Sequence, residues 1–324
     1  MKNTIVFFFI ICIYFSCGTG GDGEIDPQYR ELMRTFIIEI SDYAHLSNAD
    51  FIVIPQNGNE LLTLEPGDPE SDIADAYIAA IDGQGQEDLF YGYNDDNIAT
   101  PSAERDAMIA FLDLAEENGV AVLVTDYCFT QAKMDDSYSQ NDLKGYASFA
   151  ADHRELNNIP SYPATPNNEN STDITSLSAV KNFLYLINPS EYADGDALVA
   201  AIQATNYDLI LIDPYDADGT LLSPAQVSAM KTKANGSSRL VIAYMSIGEA
   251  EDYRPYWDPA WNTTPPEWLG EENPDWEGNY IVHYWEPDWQ AIIYGSPEAC
   301  LDKIINAGFD GVYLDIIEAY ESFE

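Results

Sequence analysis

Apolar residues recur at three- and four-residue spacing over 28–44, where Tyr29, Leu32, Met33, Phe36, Ile37, Ile40 and Tyr43 fall on one face. That period predicts an amphipathic helix despite the β-branched content. Beyond it the pattern changes to short continuous apolar runs bounded by polar residues, as in strands buried on both faces. The runs are 51–55 (FIVIP), 77–81 (YIAAI), 120–125 (VAVLVT), 183–187 (FLYLI), 209–212 (LILI), 240–245 (LVIAYM), 280–284 (YIVHY) and 311–314 (GVYL). Helical spacing returns over 102–118, 136–157 and 296–307.

Short apolar strands that alternate mostly with helices predict a parallel TIM (β/α)8 barrel, whose active face lies where the strands end. Polar residues follow every run: Gln56-Asn57-Gly58, residues 82–87, Asp126-Tyr127, Asn188, Asp213, residues 246–251, Trp285-Glu286 and Asp315. The order is unusual for such a barrel, with a helix before the first strand and none after the last. The helix over 28–44 is therefore expected to pack between the first and last strands, against Val312 and Leu314, in a circularly permuted barrel. The Asn- and Pro-rich stretch 157–173 (NNIPSYPATPNNENSTD) then reads as the linker joining two former termini.

Length fits one such barrel with insertions, spanning 28–324 and expected as a monomer. Ahead of it, Lys2, an apolar run and Ser16-Cys17-Gly18 predict a lipoprotein signal over 1–17, too short to span a membrane, with Cys17 lipidated and 18–27 a tether. The expected location is an exported, lipid-anchored one at the cell surface or a periplasm-facing membrane, or otherwise secreted. Cys128 and Cys300 can either pair or remain free thiols. A formal charge of −43 repels nucleic acid and anionic lipid, which leaves the lipid anchor as the membrane contact. The same acidity serves a solvated surface or draws in a cationic substrate.

Candidate chemistry gathers at the strand ends. Glu249 and Glu251 lie just past the 240–245 run, and clustered acids suit glycosidic cleavage, in which one carboxyl protonates the leaving oxygen and another acts on the sugar carbon or on water. All six tryptophans fall between Trp257 and Trp289, where flat rings can stack on sugars or pack the loop onto the barrel. Scattered histidines and the lack of paired cysteines argue against a metal, and no cofactor is expected. The acidic YNDDN (93–97) reads as a turn rather than a calcium loop.

Five stretches together carry a family likeness: YMSIGEAEDYRPYW (244–257), ENPDWEGNYIVHYWEPDW (272–289), GFDGVYLDIIEAYE (308–321), FIVIPQNGNEL (51–61) and GQEDLFYG (85–92). They resemble the extracellular glycosidases related to endo-α-1,4-polygalactosaminidases, glycoside hydrolase family 114. The resemblance implies a TIM barrel and a carbohydrate polymer, possibly galactosamine-containing, as substrate. In the family the FIVIPQNG and QEDLFYG segments follow the DGVYLD strand, whereas here they precede it, as a permutation requires. Tyr313 stands where the polygalactosaminidases proper carry Glu, while Asp315 is retained. On this resemblance Asp315 is expected as nucleophile or base and Glu87 as general acid, its apolar neighbours Leu89 and Phe90 raising its pKa, with Glu249 in reserve. Gln56, Asn57, Asp126, Tyr127, Asp213, Tyr244, Trp257 and Trp285 are expected to bind substrate. The competing readings are a carbohydrate-binding surface lipoprotein that kept the barrel and lost the chemistry, and a cofactor-free lyase or deacetylase.

Overall fold

The computed structural model describes residues 28–324; the predicted signal, tether and Cys17 lie outside them. The chain opens with α1 (Gln28–Ser47), which buries Met33, Phe36, Ile37, Ile40 and Ala44, the apolar face expected from their spacing. Strand β1 (Ile52–Pro55), α2 (Asp75–Ile78), β2 (Gly83–Glu87), α3 (Ser102–Glu117), β3 (Ala121–Tyr127), α4 (Gln131–Lys144) and β4 (Ala147–Ala151) follow. The second half holds β5 (Phe183–Leu186), α5 (Gly195–Gln203), β6 (Leu209–Ile212), α6 (Pro224–Met230) and β7 (Leu240–Ser246). After these come the short strands β8 (Glu249–Glu251), β9 (Leu269–Glu272) and β10 (Asn279–Val282), then α7 (Pro287–Ile293), α8 (Cys300–Ala307) and β11 (Gly311–Asp315). A 3-10 helix, Ile317–Ser322, ends the chain.

Eight strands run parallel in two sheets, ordered β1-β11-β7-β6-β5 and β2-β3-β4. Single parallel bridges join the sheets at both edges, Gln56 to Gly85 and Ser148 to Asn182. Strands 8, 9 and 10 form a separate antiparallel sheet in the excursion after β7. First and last barrel-type strands are neighbours, with Ile52 opposite Gly311 and Pro55 opposite Leu314. Beside them α1 meets α8 through Tyr43 Oη and Asp302 Oδ1 at 2.8 Å, and the chain end through Arg30 Nε and Glu324 Oε1 at 2.8 Å.

Two of the expected strands are replaced. The run 77–81 instead closes α2 and its turn, and the neighbouring strand is the apolar-poor GQGQE of β2. Its alternate glycines are what the packing demands: a Cβ on Gly85 would lie 2.1 Å from Tyr313 Oη, and one on Gly83 would lie 2.7 Å from Leu177 Cδ2. A helix over 136–157 is likewise overturned, because α4 stops at Gly145, whose φ of 87° ends it in the left-handed region, and the small-residue strand ASFAA follows. The run 280–284 belongs to the antiparallel excursion.

Between β4 and β5 the chain forms no α-helix, only a 3-10 turn at Leu177–Ala179; the linker lies there, alongside α4, with Tyr162 Oη donating to Asp135 Oδ1 at 2.6 Å. Its far end is fixed where β6 and β7 begin. Asn170 Nδ2 donates to Asp208 Oδ2 at 3.0 Å, and Ser238 N donates to Asp173 Oδ1 at 2.8 Å. Asp208 in turn pairs at 2.5 Å with Lys233, both side chains fully buried, and the Lys233 ammonium also donates to Thr172 O at 3.1 Å. Cys128 and Cys300 are both free thiols. Among the described residues no helix is long and apolar enough to cross a membrane.

Candidate active site

Three adjacent strands, β11, β1 and β2, end alike. Asp315, Gln56 and Glu87 each stand at a strand's end, and each is followed by a residue with positive φ: Ile316 at 59°, Asn57 at 57° and Asp88 at 59°. Asn and Asp tolerate that region through local side-chain bonds, but a β-branched isoleucine there is under strain. Strain of this kind concentrates at functional sites, where surrounding structure holds it. Here Gly248 provides the room, since a Cβ on it would lie 2.0 Å from the Ile316 carbonyl oxygen.

Both oxygens of Glu87 accept protein hydrogen bonds, one from Gln56 Nε2 and one from the Tyr127 hydroxyl. Asn57 Oδ1 accepts from the Glu87 amide at 3.0 Å, and Tyr185 Oη donates to Gln56 Oε1 at 2.9 Å, so the groups holding Glu87 are themselves held. Arg154 lies 4.1 Å over the Tyr127 ring and pairs with Asp88 at 2.7 Å.

Asp315 faces Glu87 across this cluster. Tyr244 Oη donates to Asp315 Oδ2 at 2.6 Å and Ile316 N to Oδ1 at 2.8 Å. Burial first, and then the Glu87 charge, push Asp315 up to about 7 against those two bonds. Three residues on, Glu318 is pushed up to about 8, chiefly by burial and next by Asp315, and its Oε2 is buried without a hydrogen-bond partner. Beneath the pair lie Tyr185 and Tyr313, in edge contact with ring centroids 5.5 Å apart.

Asp213 lies at the same end of the sheet, paired with Arg254 at 2.8 Å, while Glu251 holds the other side of that guanidinium at 2.7 Å. Burial lifts Asp213 to about 6 although Arg254 opposes it. Glu251 and Arg254 share a small cavity with Tyr244, and Glu251 adds to the field on Asp315.

The structure thus brings Asp315, Glu87, Gln56, Asn57, Tyr127, Tyr244 and Asp213 into one neighbourhood. Other expected residues lie elsewhere. Asp126 is wholly buried and turned inward, accepting from Phe90 N at 2.7 Å, Tyr91 N at 3.1 Å and Ser137 Oγ at 2.6 Å, so it shapes the turn after Glu87 instead of meeting a ligand. Glu249 points into the excursion, taking Asn273 Nδ2 at 2.7 Å, and burial raises its pKa. Trp257, Trp261, Trp268 and Trp289 meet in succession with ring centroids 5.2, 5.1 and 5.0 Å apart, the first two pairs edge-on and the third tilted, packing the excursion. Trp285 is wedged among Tyr29, His283 and Phe323. Within the YNDDN turn, Asp96 pairs with Arg154 at 2.6 Å, and Asn97 Oδ1 accepts from Thr130 N at 3.0 Å.

Arg254, Glu251, Tyr185, Tyr313 and Glu318 complete the site without having been assigned a role in it from the sequence, where Glu251 entered as one of the clustered acids and Tyr313 as a departure from the family motif. A lone arginine within the acidic EAEDYR was a legible signal for the first two. Tyr185 and Glu318 gave none, because only the folded sheet brings them to the carboxylates.

A parallel α/β sheet with two facing carboxyls at its strand ends defines a site able to move a proton and to present a carboxylate to the same bond. The sequence pattern of glycoside-hydrolase family GH114 matches residues 163–324, half of the chain, and the chain belongs to that family. An uncharacterised protein of Methanocaldococcus jannaschii, MJ1477, is 42% identical over 158 residues, covering 48% of this chain and 42% of its own length. An uncharacterised Deinococcus radiodurans protein is 44% identical over 127 residues, 39% of this chain and 38% of its own. A third, from Thermotoga maritima, is 41% identical over 123 residues, 37% and 35% respectively. The chain therefore spans only about two-fifths of the length of these curated relatives. Family membership is grounds for glycoside hydrolysis and for a TIM-barrel type of fold.

Proposed function

We propose that this protein hydrolyses a glycosidic bond with Asp315 and Glu87 as its two carboxyl groups. Asp315 gives its proton to the leaving oxygen, and the Glu87 carboxylate attacks the sugar carbon or activates water. The observation that carries this reading is the facing pair itself, in which the Glu87 charge is a leading cause of the raised Asp315 pKa. The roles are exchanged relative to those expected from the sequence. Leu89 and Phe90 turn into the core instead of enclosing Glu87, and Glu87 is held by two donors, which suits the acceptor role.

Glu251 and Asp213 beside the pair, with Arg254 as the cation between them, and the chain's formal charge of −43 favour a positively charged polymer, and galactosamine chains are the first substrate to try. The two sheets are read as halves of one permuted (β/α)8 barrel. Their edge bridges, the β1–β11 pairing and a family match that begins inside the linker support that reading. Export with a lipid on Cys17 belongs to the same proposal. Its test is release of reducing ends from galactosamine polymers and neutral glycans by the wild type, Asp315→Asn and Glu87→Gln. Both variants should stay folded and lose at least about a thousandfold in rate; full activity in either removes that residue from the chemistry.

A further inference from the structure

We infer that Tyr253 is a sugar-stacking platform beside the reacting pair, an inference that rests on the glycosidase reading above. Four of the tryptophans use their rings in packing the excursion, whereas Tyr253 is 59% exposed. Exposure alone would mean little, but this ring is fixed. Its hydroxyl donates to the buried Glu251 Oε1 at 2.5 Å, with Asn279 Oδ1 3.4 Å away. Arg254 lies 5.3 Å from its centroid, and that guanidinium is itself locked between Asp213 and Glu251.

One face of the ring is thus backed by a nearly buried residue, so its accessible area belongs to the opposite face. A flat apolar face held still by polar anchors at its rim binds the C–H face of a pyranose at small entropic cost. Position points the same way. Glu251 and Arg254 line a cavity with Tyr244, and Tyr244 touches Asp315 at 2.6 Å, so the platform is linked to the carboxyl pair through Glu251 or Arg254 and then Tyr244. The occupant is a sugar unit of the substrate chain next to the bond being cleaved.

The test is calorimetric titration of the Asp315→Asn protein, which binds without turnover, with α-1,4-linked galactosamine oligomers and, separately, maltooligosaccharides. Adding Tyr253→Ala should weaken binding of the accepted oligomer about tenfold, whereas Tyr253→Trp, which keeps a flat ring, should retain it. In the active enzyme Tyr253→Ala should raise KM with kcat within about twofold. Binding unchanged by Tyr253→Ala overturns the platform and leaves the glycosidase reading standing. No binding of either oligomer to Asp315→Asn overturns both.

Discussion

The Tyr244 hydroxyl donates to Asp315 Oδ2 at 2.6 Å, a bond that favours the charged carboxylate, yet Asp315 still rises to about 7. Burial and the facing Glu87 outweigh Tyr244 and the Ile316 amide together. Asp315 is therefore a carboxyl poised to release its proton near neutrality, raised there by burial and Glu87 and drawn back in part by the Tyr244 hydroxyl.

If Asp315 must be protonated to act, hydrolysis should fall about tenfold for each pH unit above about 7. Tyr244→Phe removes a bond to the charged form, so Asp315 should hold its proton to higher pH and the alkaline limb should move upward. A pH–rate profile of the two proteins checks this, and a limb that stays put or moves down would detach Tyr244 from the titration.

Gly85 and Tyr313 form a second coupled pair. A Cβ at Gly85 would fall 2.1 Å from Tyr313 Oη and 2.5 Å from Cζ, and Glu87 lies two residues further along the same strand. Gly85→Ala should cost about 1–3 kcal/mol, as overpacking does, and should displace Glu87 enough to reduce activity. Tyr313→Leu makes space, so the double variant should recover part of the stability lost by the alanine. Melting curves for the four members of the cycle measure that coupling.

The same pair shows why one strand was illegible in the sequence. Strands such as 183–187 and 209–212 are uniformly apolar because both their faces are covered, so the pattern reveals them. GQGQE carries almost no apolar side chain; Gly85 leaves room for the Tyr313 ring of β11, and Gly83 leaves room for Leu177. Likewise ASFAA, a run of small residues after a helix, reads as a continuation of that helix. Asp315 and Gln56 were legible as polar residues ending apolar strands, and Glu87 through a family motif. The misplaced aromatics have a physical cause too, since clustering in sequence does not distinguish rings that pack together from rings that face solvent.

Arg254 holds two buried carboxylates, Asp213 at 2.8 Å and Glu251 at 2.7 Å. Replacing it with methionine keeps the stem and strands both acids, which should cost about 3–5 kcal/mol at pH 8. Asp213 is already raised to about 6 with Arg254 present, and without it should rise further. A group whose folded pKa exceeds its unfolded value destabilises the fold above the folded value and ceases to do so as pH drops towards the unfolded one. The Arg254→Met deficit should therefore shrink between pH 8 and pH 5. Denaturant titration at the two pH values decides it, and a pH-independent deficit would mean lost packing rather than stranded charge.

The proposed permutation can be tested by undoing it. Arg30 Nε and Glu324 Oε1 are 2.8 Å apart and the Tyr29 and Phe323 rings lie 5.5 Å apart, so the two ends of the described chain are adjacent. Between them β1 pairs with β11 in parallel, and α1 lies where the helix following β11 would be expected. Joining Glu324 to Gln28 through a short glycine-rich linker, and opening the chain between the exposed residues Ala164 and Thr165, would give a protein that starts near β5 and ends after β4. The cut leaves the anchored part of the linker intact, because Asn170, Thr172 and Asp173 stay attached to β5 and keep their bonds to Asp208, Lys233 and Ser238. Permutation is tolerated where ends are close and the new break is exposed and sparsely bonded. The permutant should melt within about 2 °C of the parent, the shift that about 1 kcal/mol produces in a domain of this size, and should hydrolyse the same substrate. An insoluble or molten product would show that the contacts at the joined ends, or the intact linker, do more than close a ring.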